Sequence, residues 1–235
     1  MSIIKGKYTV LKNINKIAIL ADPGCREGWQ NNFPRLLKKV WREHHPELFI
    51  ICGDVTLNSF HAQYSEITAI MNSFTAQWVA VPGDHDCPLN NFVKHFGFTH
   101  KVVDAGKWRF IGINTSNRMF LKTEAEWIEK NIKNNTIVFS HLPPEAKGWT
   151  FHSLWPKSSN NFLSIVKKYR KKIKAMYFGH LHGFSQREFM GIPMIISGAT
   201  AESKVIRNNK YSGSGFFEMV IFNVKTERRQ ICRMY

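Results

Sequence analysis

The chain has 235 residues, 43% of them hydrophobic, and carries 33 Lys and Arg against 17 Asp and Glu, for a formal charge of +16. That length and apolar content suit one layered α/β domain over residues 1–235 and exclude a disordered polyelectrolyte or a coiled coil. No stretch approaches the roughly 20 apolar residues that span a bilayer, and the start lacks the apolar run of a signal peptide; the expectation is a cytoplasmic chain with no transmembrane segment, unless it is exported by a route that needs no classical signal.

Residues 17–21 form a short apolar strand stopped by Asp22-Pro23-Gly24. Residues 31–44 have helical spacing, with Phe33, Leu36, Leu37, Val40 and Trp41 on one stripe, and Pro46 ends the helix. A second apolar strand over 48–52 closes on Gly53-Asp54. A helix follows from about 62 to 74, then a third strand over 78–81, closed by Pro82-Gly83. Residues 102–104 and 108–113 read as a hairpin turning at Ala105-Gly106. Thr123 is placed to cap a helix with Glu124 and Glu126 in its first turn. Residues 136–140 are a buried strand ending at His141, 160–170 a basic helix, and 174–178 a strand ending at Gly179-His180. The remainder reads as strands over 183–189, 193–197, 216–223 and 228–234. This order predicts a pair of mixed sheets with helices outside.

Five of these strands stop at residues suited to metal binding: Asp22, Asp54, Asp84 with His85 and Asp86, His141, and His180 with His182. Ligands of open α/β sheets gather outside the carboxyl ends of strands, so parallel strands would bring these groups to one rim. Carboxylate and imidazole donors suit Zn, Mn, Fe and similar ions. The four cysteines show no CxxC spacing, which argues against a structural zinc and for reduced thiols. Singly, each aspartate could be an ordinary turn or cap residue; the ordered set makes that reading the weaker one.

The series Asp22-Pro23-Gly24, Gly53-Asp54, Gly83-Asp84-His85-Asp86, His141 and Gly179-His180-Leu181-His182 resembles the calcineurin-like metallophosphoesterases, whose pattern is D-x-H, G-D, G-N-H-D/E, H, G-H-x-H. The likeness runs over about 17–200. It implies a four-layer αββα sandwich of two mixed sheets flanked by helices. It implies two divalent or trivalent transition-metal ions (Mn, Fe or Zn) and hydrolysis of a phosphomonoester or phosphodiester by a metal-activated water. In that scheme Asp22 and His182 hold the first metal, Asp54 bridges, and Asp84, His141 and His180 hold the second. His85 is the general acid, and Asp86 orients it.

Two departures from the pattern stand out. Gly24 replaces the first-motif histidine, as in purple acid phosphatases, but the tyrosine those enzymes place three residues after the bridging aspartate is Leu57 here. The first metal is therefore expected to be held more weakly, to take more water, or to borrow a nearby group, with Cys25, Asn58, His61 and Tyr64 as candidates. Asp84 stands where the family has asparagine; its charge should tighten the second site and repel an anionic substrate. The alternative class is a degenerate fold acting as a non-catalytic binding protein, against which the retained His85 argues.

The +16 charge has two readings, a polyanionic partner such as nucleotide or nucleic acid, or the Lys, Asn and Ile bias of an A/T-rich genome. The densest basic run, Lys167, Lys168, Arg170, Lys171, Lys172 and Lys174, is more often a solvated face than a phosphate-contacting patch. Trp149, His152 and Trp155, in the loop after His141, either line a pocket or pin the loop, with His152 read as ordinary. No partner protein is predicted.

Overall fold

The apolar runs pair into two mixed sheets. A computed structural model of the chain describes residues 3–24, 27–149, 152–198, 200, 205–207, 210–212 and 217–234. In chain order the first half contains β1 (Tyr8–Leu11), β2 (Lys16–Leu20), α1 (Trp29–His44), β3 (Leu48–Cys52), α2 (His61–Asn72), β4 (Gln77–Val81), α3 (Asn90–Phe96), β5 (Lys101–Ala105) and β6 (Trp108–Gly112). The second half contains α4 (Lys122–Asn131), β7 (Thr136–Phe139), α5 (Pro156–Lys168), β8 (Ile173–Phe178), β9 (Phe184–Phe189), β10 (Ile192–Ser197), β11 (Val205–Arg207), β12 (Lys210–Ser212), β13 (Phe217–Asn223) and β14 (Arg229–Met234).

One sheet runs β14-β13-β2-β3-β4 and the other β1-β5-β6-β7-β8-β10-β9, with β11 and β12 as a separate pair. Strands β2, β3 and β4 are mutually parallel, as are β6, β7, β8 and β10, while β13, β14, β9 and the β5–β6 pair supply the antiparallel contacts. The central strands are apolar on both faces because both faces are covered. Alternate residues show this directly. Ile17, Ile19, Ile50 and Val79 point at the facing sheet, where Phe110, Ile137, Ala175 and Tyr177 meet them. Ala18, Leu20, Ile51 and Trp78 point the other way, onto Phe33, Leu37, Tyr64, Ile67 and Phe96 of α1, α2 and α3. On the far side Val138, Met176 and Phe178 pack under Ile128 of α4 and Phe162 and Val166 of α5. These layers make the αββα sandwich.

Several local expectations shift. Strand β1, helix α3 and the β11–β12 pair are additional to the elements expected from the sequence, and α5 starts at Pro156 rather than at 160. Helix α4 begins before Thr123: Leu121 is its cap residue, and Glu124 turns back to accept the Leu121 N–H at 3.1 Å. The turn between β5 and β6 falls at Gly106-Lys107, because Ala105 still pairs with Trp108.

Candidate metal centre

The parallel strands decide which loops meet. Asp22 follows β2, Asp54 follows β3, residues 84–86 follow β4, His141 follows β7, and His180 and His182 follow β8. Each stands at a carboxyl end. Backbone bonds tie neighbouring loops within each sheet, Asp22 N–H to the Gly53 carbonyl (3.1 Å) and Gly179 N–H to the His141 carbonyl (2.9 Å), and the His180 N–H joins the two rims by donating to Asp22 Oδ1 (3.0 Å).

All six expected ligands converge, in two groups that share Asp54. Asp54, Asp84, His141 and His180 form one, and Asp22, Asp54 and His182 the other, with donor atoms in each within 4.8 Å of one another. His141 Nε2 lies 3.2 Å from Asp54 Oδ1, 2.9 Å from Asp84 Oδ1 and 3.2 Å from His180 Nδ1. His180 Nδ1 is 3.0 Å from Asp84 Oδ1, and His182 Nε2 is 3.8 Å from Asp22 Oδ1. A carbonyl can only accept, so the 2.9 Å contact from His141 Nδ1 to the Cys52 carbonyl places that ring's hydrogen on Nδ1 and turns the Nε2 lone pair inward.

This donor set fits metal ions. Asp22, Asp54 and His141 are fully buried, and Asp54 Oδ2 has no hydrogen-bond partner among the described residues. A buried carboxylate oxygen without a donor is costly unless a cation satisfies it. Burial, above all, pushes the Asp22 carboxyl well above its ordinary range, with the neighbouring Asp54 and Asp84 charges adding to it. Burial would keep His141 neutral, yet Asp54, Asp84 and Asp22 raise its proton affinity well above that of free imidazole. Burial opposes ionisation of Asp84 too, but hydrogen bonds from His141 and His180 hold its carboxyl far below the usual carboxylate range. The field here is negative enough to attract positive charge.

The backbone carries a matching signature. Asp22, Asp54, His180 and His182 all adopt left-handed conformations, with φ of 56°, 49°, 69° and 52°. Such residues cost on the order of 1–3 kcal/mol each and cluster at functional sites. Four of six candidate ligands in this region point to loops shaped for their side chains rather than for backbone comfort.

His85 and Asp86 part company. The His85 ring is half-buried and its Nδ1 contacts the Leu57 carbonyl at 2.9 Å, so that carbonyl orients it. Asp86 faces away from this contact. Its buried carboxylate accepts from the N–H groups of Val55, Thr56 and Gly83 at 2.9–3.0 Å, from Thr56 Oγ1 at 3.0 Å and from the Tyr64 hydroxyl at 3.1 Å. Asp86 therefore ties the loop after β3 to the loop after β4 and does not orient His85. Burial, with the Asp54 charge behind it, pushes its carboxyl up to about 6 despite those donors.

The departure at Gly24 has a steric reason. Its N–H donates to the Asp54 carbonyl at 3.0 Å, and a Cβ there would press on the Val55 carbonyl oxygen and lie 2.5 Å from Thr56 Cα. No side chain fits. Gly24→Ala is expected to destabilise the fold by about 1–3 kcal/mol, read as a lowered unfolding midpoint; a midpoint equal to the parent's would show that the two loops can part freely. Two of the proposed substitutes are engaged elsewhere: His61 Nδ1 pairs with His95 Nε2 at 2.6 Å and the Tyr64 hydroxyl donates to Asp86, while Cys25 lies outside the described residues.

The sequence profile of the calcineurin-like phosphoesterases matches residues 15–184, most of the chain. The chain belongs to that family. A probable cyclic nucleotide phosphodiesterase from Vesicomyosocius okutanii subsp. Calyptogena okutanii (strain HA) is 23% identical over 165 residues, covering 66% of this phosphoesterase and 70% of the relative. Among solved structures, a dimetal phosphatase from Danio rerio superposes with a TM-score of 0.65 at 10% identity, over 94% of this chain and 99% of the other. GAP50, the anchor in the inner membrane complex of Plasmodium, superposes with 0.68 at 12% identity, over 93% and 84%. These structures share the fold.

The candidate metal rim of this phosphoesterase opens into a cavity of about 400 Å³, lined by Asp54, Asp84, His85 and His180 together with Arg118 and His152. Arg118 carried no motif, and His152 read as ordinary; its ring stands 5.4 Å from that of His180. Trp149 pins the loop, fully buried with its Nε1–H on Ser185 Oγ at 3.0 Å, whereas Trp155 is half exposed. The basic run at 167–174 straddles the start of β8, and the site follows its end. Six strand residues at ~3.3 Å each put roughly 20 Å between them, so the run stays a solvated face with Lys168 paired to Glu129.

Proposed function

We propose that this phosphoesterase hydrolyses a phosphate ester using two transition-metal ions (Mn, Fe or Zn) held by Asp22, Asp54, Asp84, His141, His180 and His182, with His85 as general acid. The observation that carries this reading is the pair of candidate ligand groups joined at Asp54, whose second oxygen is buried without a donor among the described residues. When bound, the ions supply Lewis acidity that activates water and draws charge from phosphoryl oxygens. Asp54, common to both groups, would be the ligand that the two ions share. His141 turns its Nε2 inward because Cys52 holds Nδ1. The Leu57 carbonyl holds His85 Nδ1, so Nε2 is the atom that delivers a proton to the departing alkoxide. The first position has three protein ligands against four at the second, and is the more readily emptied. The relative named as a cyclic nucleotide phosphodiesterase makes nucleotide phosphodiesters the first substrates to assay.

Protein purified without chelator is expected to hold about two ions per chain, and to hydrolyse aryl phosphate monoesters or diesters. Chelation should abolish turnover and Mn or Zn should restore it. No turnover with any added metal would sink the catalytic reading and leave a non-catalytic binding scaffold.

A further inference from the structure

The two carboxylates in the cavity lining, Asp54 and Asp84, meet any phosphate ester with like charge. Among the described lining residues Arg118 carries a permanent positive charge. It comes from the loop between β6 and α4 and is held from several sides. Its Nε and Nη2 donate to the Ser153 carbonyl at 3.2 and 3.0 Å. Its guanidinium carbon lies 4.5 Å from the centre of the Trp155 ring. Its own carbonyl accepts the Trp155 N–H at 3.0 Å, and its N–H donates to the Thr115 carbonyl at 2.9 Å. The backbone is left-handed there as well, with φ 62°. A long cationic side chain in water carries substantial rotamer entropy; here the ring and the carbonyl have already removed much of it. A guanidinium fixed at the wall of this cavity is suited to phosphoryl oxygens, which it can engage with directed, charge-assisted hydrogen bonds.

We propose that Arg118, seated on Trp155 and the Ser153 carbonyl, is the phosphoryl-oxygen subsite of this cavity, binding a non-bridging oxygen of the substrate and offsetting the charge of Asp84. This rests on the phosphoesterase reading above. The purely structural alternative is that Arg118 only staples the loop after β6 to the loop after β7.

The test uses metal-loaded protein and three readouts: metal content, inorganic phosphate and orthovanadate affinity by calorimetry, and KM and kcat on aryl phosphates. Arg118→Gln is expected to weaken phosphate and vanadate binding roughly 10- to 100-fold, and to raise KM more than it lowers kcat, with both ions retained. Trp155→Ala, which keeps the guanidinium but removes its seat, is expected to give a smaller loss of the same kind, and guards against an Arg118 variant that fails to fold. Anion affinity within two-fold of the parent in both variants, alongside a lowered unfolding midpoint, would overturn the subsite and leave Arg118 a staple. Turnover in the parent with unchanged anion binding in Arg118→Gln would overturn the subsite alone. Arg118-dependent vanadate binding in a parent without turnover would support the subsite while overturning the catalytic reading.

Discussion

Asp54→Asn is expected to empty both metal positions and to lower kcat/KM by at least about 10³-fold, roughly 4 kcal/mol of transition-state stabilisation. The substitution is nearly isosteric, and asparagine tolerates the left-handed backbone that Asp54 adopts. Its amide oxygen can still accept the His85 N–H that Asp54 Oδ1 now accepts at 3.0 Å. What changes is the charge shared by the two ligand groups, and the buried Oδ2, which becomes a donor facing the place of a cation. Asp22→Asn removes a ligand from one group only and should leave one ion bound. Elemental analysis of the two variants beside the parent, with turnover on the same samples, checks the contrast. Two retained ions in Asp54→Asn, or equal metal loss in both variants, would show that Asp54 does not bridge.

His85→Ala is expected to lower kcat by about 10²- to 10⁴-fold on an ester with an alkyl leaving group, with metal content unchanged. His85 stands outside both ligand groups, and its ring contacts the Leu57 carbonyl rather than a candidate ligand. Its contribution should scale with the leaving group's need for a proton, so a nitrophenyl ester should lose far less. Equal losses on both esters would remove His85 from the acid role. Metal loss in the variant would show that it supports the site instead.

Much of this was legible from local chemistry. Asp22, Asp54, Asp84, His141, His180 and His182 each end an apolar strand or follow its end by a few residues, and parallel strands deliver their carboxyl ends to one rim. The pair of mixed sheets with helices outside followed from runs apolar on both faces interleaved with helical stripes, and the four-layer αββα arrangement from the family resemblance. Strand β1 was not legible: Tyr8–Leu11 is mostly exposed, alternates weakly, and exists through pairing with β5, over ninety residues away. Such pairing leaves little trace in the strand's own composition. Adjacency misled at Asp86. Its neighbour His85 faces the cavity, but the turn sends the two side chains to different sides, and the buried N–H groups of Val55, Thr56 and Gly83 claim the carboxylate.

The sequence by itself determined a pair of mixed sheets with helices outside, because strand and helix periodicity are properties of neighbouring residues, and its ordered motifs carried the likeness to the family that the chain belongs to. Only the tertiary structure decided that Gly24 has no room for a side chain, that Asp86 serves the loops rather than His85, and that Arg118 and His152 wall the cavity. Those depend on which loops touch. Arg118 reaches its place through a carbonyl thirty-five residues further on, a contact that no local pattern encodes.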